Sequence, residues 1–456
     1  MPGLSDRKIE IVRMLMASSP DSVVGSLHSA LAGARDEALN EVRNLVSYEM
    51  MDRRFRDIVF APVLKMFDDP SKVKDRLVFP RSSLALVWKA LKDDAPDQVS
   101  MVEQLLEGAT TDTRSGPLNG LLRRTMEGLK ARKANSFIAA AGSLDQTNPK
   151  LSETLCACLA LAPMVRDNNP RMADLIARPS EERATSLRLS YKDATALSDD
   201  NGPLLFEMLA ANLEEPWMVI RLISLVMDRP SQRYLADSEL SSFAVRIMDS
   251  IDRSLQDIGR FDHTKTPEDA KVMAGKVKLV ARQIAELESA IELNRDSGWG
   301  ARVQKQKQGL ANAVEARIRK AEAVIAAALP YHTVRGAHAS RKVPRMTVDP
   351  KPDDVRNART LLTFLEAIRP SANLGGFASV RTKIAEAAAE VLDRYAEDGL
   401  ALMREHEVED FDLAITHLNY AAEFLELTRD AVSADLVRRR IAAASDNERR
   451  DVAKLG

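Results

Sequence analysis

Apolar residues recur along this chain at spacings of three and four, and almost nowhere at two. That stride keeps side chains on one face of a helix, whereas alternation would mark a strand. Ser5 stands where an N-cap would open a helix running to about Met16. Ser19-Pro20-Asp21 restarts a second helix, with Val23, Val24, Leu27 and Leu31 on one face. A longer helix from about Ala34 carries Leu39, Val42, Leu45 and Val46. Turn chemistry then recurs at Asp68-Asp69-Pro70, Asp93-Asp94-Ala95-Pro96, Asn148-Pro149, Asn168-Asn169-Pro170, Arg178-Pro179 and Asn201-Gly202-Pro203. Each such break predicts a new helix start.

Gly202-Pro203 opens a helix through about Asn212, and Glu215-Pro216 opens the next. Trp217, Val219, Ile220, Leu222, Ile223 and Val226 surround that second helix with apolar surface, which predicts burial. A pair of antiparallel helices joined by a tight proline turn is the unit of helical solenoids. The N-terminal half therefore resembles stacked helix pairs of the HEAT or armadillo sort in architecture, although no residue signature repeats at a fixed period.

Residues 266 to 329 read differently. Thr266 is an N-cap with Pro267 and Asp269 behind it. Met273, Val277, Val280, Ile284, Leu287 and Ile291 follow in alternating steps of four and three, an a/d heptad seam. After Asp296-Ser297-Gly298-Trp299-Gly300 a second long helix carries Val303, Leu310, Val314, Ile318, Ala321 and Ile325. The two predict a long antiparallel hairpin packed on its own protein; a homodimer through 266–329 is the sharper alternative. Residues 331–357 have prolines, turn formers and no helical period, which predicts a linker. Helices resume over 361–369 and 378–397. Two amphipathic helices around Thr428-Arg429-Asp430 resemble a tetratricopeptide-type pair over about thirty residues.

The fold class expected is all-α: an irregular, solenoid-like N-terminal half, a long antiparallel helical hairpin and a small C-terminal helical unit. The domain reading is a helical-repeat-like region over 1–230, a segment holding the hairpin over 231–330, a basic proline-containing linker over 331–357 and a C-terminal unit over 358–456.

Composition narrows the function classes. The 456 residues carry 65 Lys+Arg against 67 Asp+Glu, a formal charge of -2, which disfavours a globally basic nucleic-acid binder. An apolar fraction of 45% argues against disorder, and 2 cysteines exclude a disulfide-stapled fold. The first residues are charged and show no leader pattern, and the longest apolar run, Leu155 to Val165, is too short to cross a bilayer. A soluble, cytoplasmic protein is expected. Arginine exceeds lysine and alanine is abundant, in keeping with a GC-rich bacterial genome.

Motifs for chemistry are sparse. No P-loop, dinucleotide fingerprint, zinc-protease or nucleophile-elbow motif occurs, so no catalytic residue, cofactor or metal is assigned. No two of His28, His263, His332, His338, His406 and His417 stand four apart on a helix. Cys156 and Cys158, two apart on a helix, point to different sides and read as small buried hydrophobes. Asp93-Asp94-Ala95-Pro96-Asp97 resembles the aspartate-rich motif of the all-α prenyl synthases, which would imply a Mg²⁺-diphosphate site. Pro96 breaks the helical face that motif requires, so the acids read as a turn and a helix start.

Two basic clusters remain as candidate partner-binding sites. Arg123, Arg124, Lys130, Arg132 and Lys133 have only Glu127 against them in sequence, opposite an apolar face of Leu118, Leu122, Met126 and Leu129. Arg335, Arg341, Lys342 and Arg345 lie in the linker, where nothing acidic stands between Tyr331 and Val348. The expected function is a non-enzymatic scaffold or adaptor that binds other proteins. The alternatives are an all-α enzyme whose site converges from distant helices, and an anionic-surface binder that uses the basic clusters.

Overall fold

The computed structural model describes residues 5–33, 36–71, 73, 75–108, 115–146, 148–227, 230–335 and 340–455. Helix takes up 77% of the chain and strand 3%, which makes the fold all-α. The chain forms two compact units, Met1–Asp228 and Arg229–Gly456.

In the first unit the helices are α1 (Asp6–Ser18), α2 (Asp21–Leu31), α3 (Glu37–Val59), α4 (Ala61–Leu64), α5 (Arg81–Asp94), α6 (Pro96–Gly108), α7 (Ser115–Ala131), α8 (Asn135–Asp145), α9 (Leu151–Ala177), α10 (Thr185–Leu197), α11 (Asn201–Asn212) and α12 (Val219–Val226). Two short parallel strands, β1 (Phe67–Asp68) and β2 (Phe79–Pro80), join the loop after α4 to the start of α5. The start of α3 is set by Asp36, whose carboxylate accepts from the Ala38 and Leu39 N–H groups at 2.9 and 3.3 Å; Ala34, the start expected from the sequence, lies outside the described residues. The acids of the aspartate-rich segment close α5, and Pro96 opens α6.

One expected break does not exist. Asn168-Asn169-Pro170 lies inside α9, as does Pro163. Each proline removes one ladder hydrogen bond. Burial overrides that cost: Leu155, Leu161 and Val165 are fully covered, and α9 packs on α7, α8, α10 and α11. Asn168 also donates from Nδ2 to the Met164 carbonyl at 2.8 Å, within the helix.

The second unit holds α13 (Gln232–Ala236), α14 (Ser241–Arg260), α15 (Pro267–Ala290), α16 (Gly298–Ile318), α17 (Ala321–Ala328), the strands β3 (Tyr331–Arg335) and β4 (Ser340–Pro344), then α18 (Pro352–Ala367), α19 (Ala378–Arg404), α20 (Phe411–Thr428) and α21 (Ala431–Leu455). Thr266 and Asp269 form a reciprocal capping box at α15, an arrangement worth about 1 kcal/mol. Val277, Val280, Ile284, Leu287 and Ile291 of the heptad seam are buried within this unit. Their helix packs chiefly on α18, then on α14 and α16. The helix expected over Val303 to Ile325 turns at Arg319–Lys320, which lets α16 lie on α14 while α17 packs on α18 and α19.

The segment read as a linker carries an antiparallel ribbon, with Tyr331 opposite Pro344 and Arg335 opposite Ser340. It is held by burial of Val343 and Met346 and by Tyr331, which stands edge-on to Tyr395 and donates its hydroxyl to Asp398 at 3.3 Å. These anchors lie far along the chain, so the ribbon has no local periodic signal.

Candidate functional site

The first basic cluster is built on α7. Burial of Leu118, Leu121, Leu122 and Leu129 orients the helix and turns Arg123 and Lys130, one face apart by two turns, into solvent. Arg124 instead donates from Nε to Asp94 at 2.5 Å, and Lys133 Nζ stands 4.0 Å from the same carboxylate. Arg132 meets Asp145 at 3.2 Å. Hydrogen bonding and charge from Asp94 hold the Arg124 guanidinium above its usual pKa. The cluster is therefore divided: three of its five cations are matched by Asp94 and Asp145, which the sequence around α7 does not contain.

The second cluster lies on the ribbon. Arg341, Lys342 and Arg345 are exposed, and none makes an ion pair with a described residue. The side chain of Arg335, and His338, lie outside the described residues. On one face of the ribbon His332, Val334, Arg341 and Val343 border a cleft of about 420 Å³, closed opposite by Leu402, Glu407 and Glu409. Behind it His417 is buried. Its Nε2 lies 2.9 Å from the Val348 carbonyl and its Nδ1 3.1 Å from the Tyr395 hydroxyl. A carbonyl can only accept, so Nε2 carries the hydrogen and Nδ1 accepts from Tyr395. Burial lowers the His417 pKa, against the opposing pull of the Val348 carbonyl and Asp349.

A third surface lies on α1 and α2. Val12 and Met16 of α1 pack with Val24 and Leu31 of α2 and with Val42, Leu45 and Val46 of α3 in a small core. The opposite side of α1 is apolar as well: Ile11, Met14 and Leu15 are 49%, 66% and 61% exposed. On α2, Val23 and Leu27 are exposed although Val24 and Leu31 are buried. The row read from the sequence as one face is thus split between core and solvent. Arg7 and Lys8 are exposed at the start of α1. The signal available in sequence was the count of apolar residues around α1, too many for a single buried stripe.

Two further features bear on catalysis. A cleft of about 580 Å³ in the first unit is lined by Arg56, Lys65, Arg76 and Arg81, but also by Asp21, Asp57, Asp68 and Glu214. Arg56 is taken up by Asp57 at 2.7 Å and Arg76 by Asp68 at 3.0 Å, so the lining is neutral and largely self-satisfied. The cysteines are thiols: burial pushes Cys156 up to about 11 and Cys158 higher still, and a thiol is a poor nucleophile. Among the described residues no group of three or more His, Cys, Asp or Glu is placed to hold a metal ion, and no helix is long and apolar enough to cross a membrane. No family model matches the chain, and no curated protein or solved structure matches it either.

Proposed function

We propose that this protein is a non-enzymatic, all-helical docking protein, a scaffold or adaptor, and that α1 receives an amphipathic helix of a partner protein. One observation carries the reading: α1 is apolar on two sides and the described residues cover only one. An apolar helix circumference is ordinarily buried, and a row such as Ile11, Met14 and Leu15 left in water marks an interaction surface. The flexible thioether of Met14 suits contact with a partner's side chains. Arg7 and Lys8 at the row's N-terminal end favour an acidic flank on the incoming helix.

The test is a photo-crosslinking residue placed at Met14, with the exposed Leu189 of α10 as control. A protein adduct formed in the native cell at Met14 and absent at Leu189, followed by direct binding of the purified pair, supports the proposal. An adduct only to a second copy of the chain contradicts it. So does membrane flotation that depends on Met14 and Leu15 without a protein adduct.

A further inference from the structure

We propose that the outer edge of β3 accepts an acidic, extended peptide as a third strand. This surface is separate from α1 and does not depend on the reading given for it.

The backbone sets the geometry. The Arg345 N–H donates to the Pro330 carbonyl at 2.8 Å. In an antiparallel pair, inward and outward groups alternate residue by residue. With Tyr331 opposite Pro344 and Thr333 opposite Lys342, that bond fixes the phase: Pro330, His332 and Val334 face β4, while Tyr331 and Thr333 turn their N–H and C=O outward. Among the described residues the sheet has two strands. The edge of β4 is blunted, because Pro344 has no N–H and α19 lies against it. The edge of β3 has no proline at its outward positions, Tyr331 and Thr333, and no described strand beside it, and an unpaired edge is a template for strand addition. A two-stranded ribbon is also marginal by itself in water, so a third strand has stabilisation to offer.

Charge selects the occupant. Thr333 shares its face with Lys342, whose ammonium is exposed and meets no described carboxylate; Arg341 and Arg345, also exposed, alternate onto the other face. No Asp or Glu lies between Tyr331 and Val348. The opposite face, with Val334, Arg341 and Val343, looks into the cleft that Glu407 and Glu409 border, so charges of both signs meet there. Carboxylates are favoured on the first face, where Lys342 is unopposed, and gain little on the second, where Arg341 shares the cleft with Glu407 and Glu409. Side chains alternate between faces along a strand, so the fitting peptide alternates acidic with uncharged, β-branched residues.

The experiment uses the full chain and a fluorescent capped decapeptide of alternating Glu and Val, followed by anisotropy. Binding that weakens as salt is raised is expected. Thr333→Pro removes one outward N–H and leaves the β3–β4 ladder intact; it should weaken binding about tenfold, as should methylation of the peptide nitrogens on one edge. Lys342→Glu should weaken it further. Leu15→Asp should leave it unchanged, so this result and that for α1 are read separately. Failure of the peptide to bind overturns the proposal, as does retention of full affinity by Thr333→Pro. Equal binding of a peptide with Lys in place of Glu, or of a single-stranded oligonucleotide that the Thr333→Pro variant still holds, also overturns it.

Discussion

Arg132 ends α7 with φ at 48°, a conformation that suits glycine, while the Lys133 N–H reaches back to the Gly128 carbonyl. Its side chain recovers little, since its pairing with Asp145 is solvent-exposed. Arg132→Gly should therefore raise the stability of the first unit by about 1 kcal/mol, read from urea unfolding. His417 gives the opposite kind of residue effect. Its pKa is lower in the folded chain than the roughly 6.5 expected when unfolded, so its contribution is full above that pH and falls as the unfolded state takes up the proton below it. The thermal midpoint of the second unit should fall between pH 7 and 5, and His417→Gln should flatten that slope while lowering the midpoint itself. Asp269, Glu397 and Asp430 have lowered pKa values, so their contributions are lost at more acid pH and leave this window to the histidine. Partnerships at this scale were hidden in the sequence: nothing near Arg124 indicates Asp94, and nothing near His417 indicates Tyr395 or Val348.

At the scale of elements, periodicity was a good guide wherever burial is local. The Thr266 cap and the seam from Val277 to Ile291 could be read directly, because a heptad states which residues share a face. It does not state what covers that face, and α18, which starts only at Pro352, supplies much of the cover. The prolines of α9 misled for the converse reason: tertiary packing outweighed a local penalty. The ribbon was missed because it presents only Val334 and Val343 as aliphatic strand residues and relies on α19 and α20 to hold it. Helix contact also depends on small residues. A Cβ on Gly128 would stand 2.2 Å from the Phe137 ring, so α7 and α8 approach as closely as they do only with glycine there. Gly128→Ala should destabilise the first unit by about 1–3 kcal/mol in chemical denaturation, with partial recovery in Gly128→Ala/Phe137→Leu.

Over the whole molecule, a formal charge of -2 hides unlike surfaces. The cations of α7 are mostly matched by Asp94 and Asp145, Arg341, Lys342 and Arg345 of the ribbon pair with no described carboxylate, and the outer row of α1 is apolar. The helical class was legible because 3.6-residue periodicity needs no knowledge of neighbours. The surfaces proposed for docking were not, since a helical pattern in one chain does not tell a face buried in its own core from one kept for another protein. The central claim is that Ile11, Met14 and Leu15 form such a face. Its most direct measurement is titration of the protein captured at Met14 against the wild-type chain and the Met14→Asp/Leu15→Asp variant, with circular dichroism confirming equal helicity. Two carboxylates buried without partners should weaken binding at least about a hundredfold; an unchanged affinity in a variant of equal helicity would contradict the account.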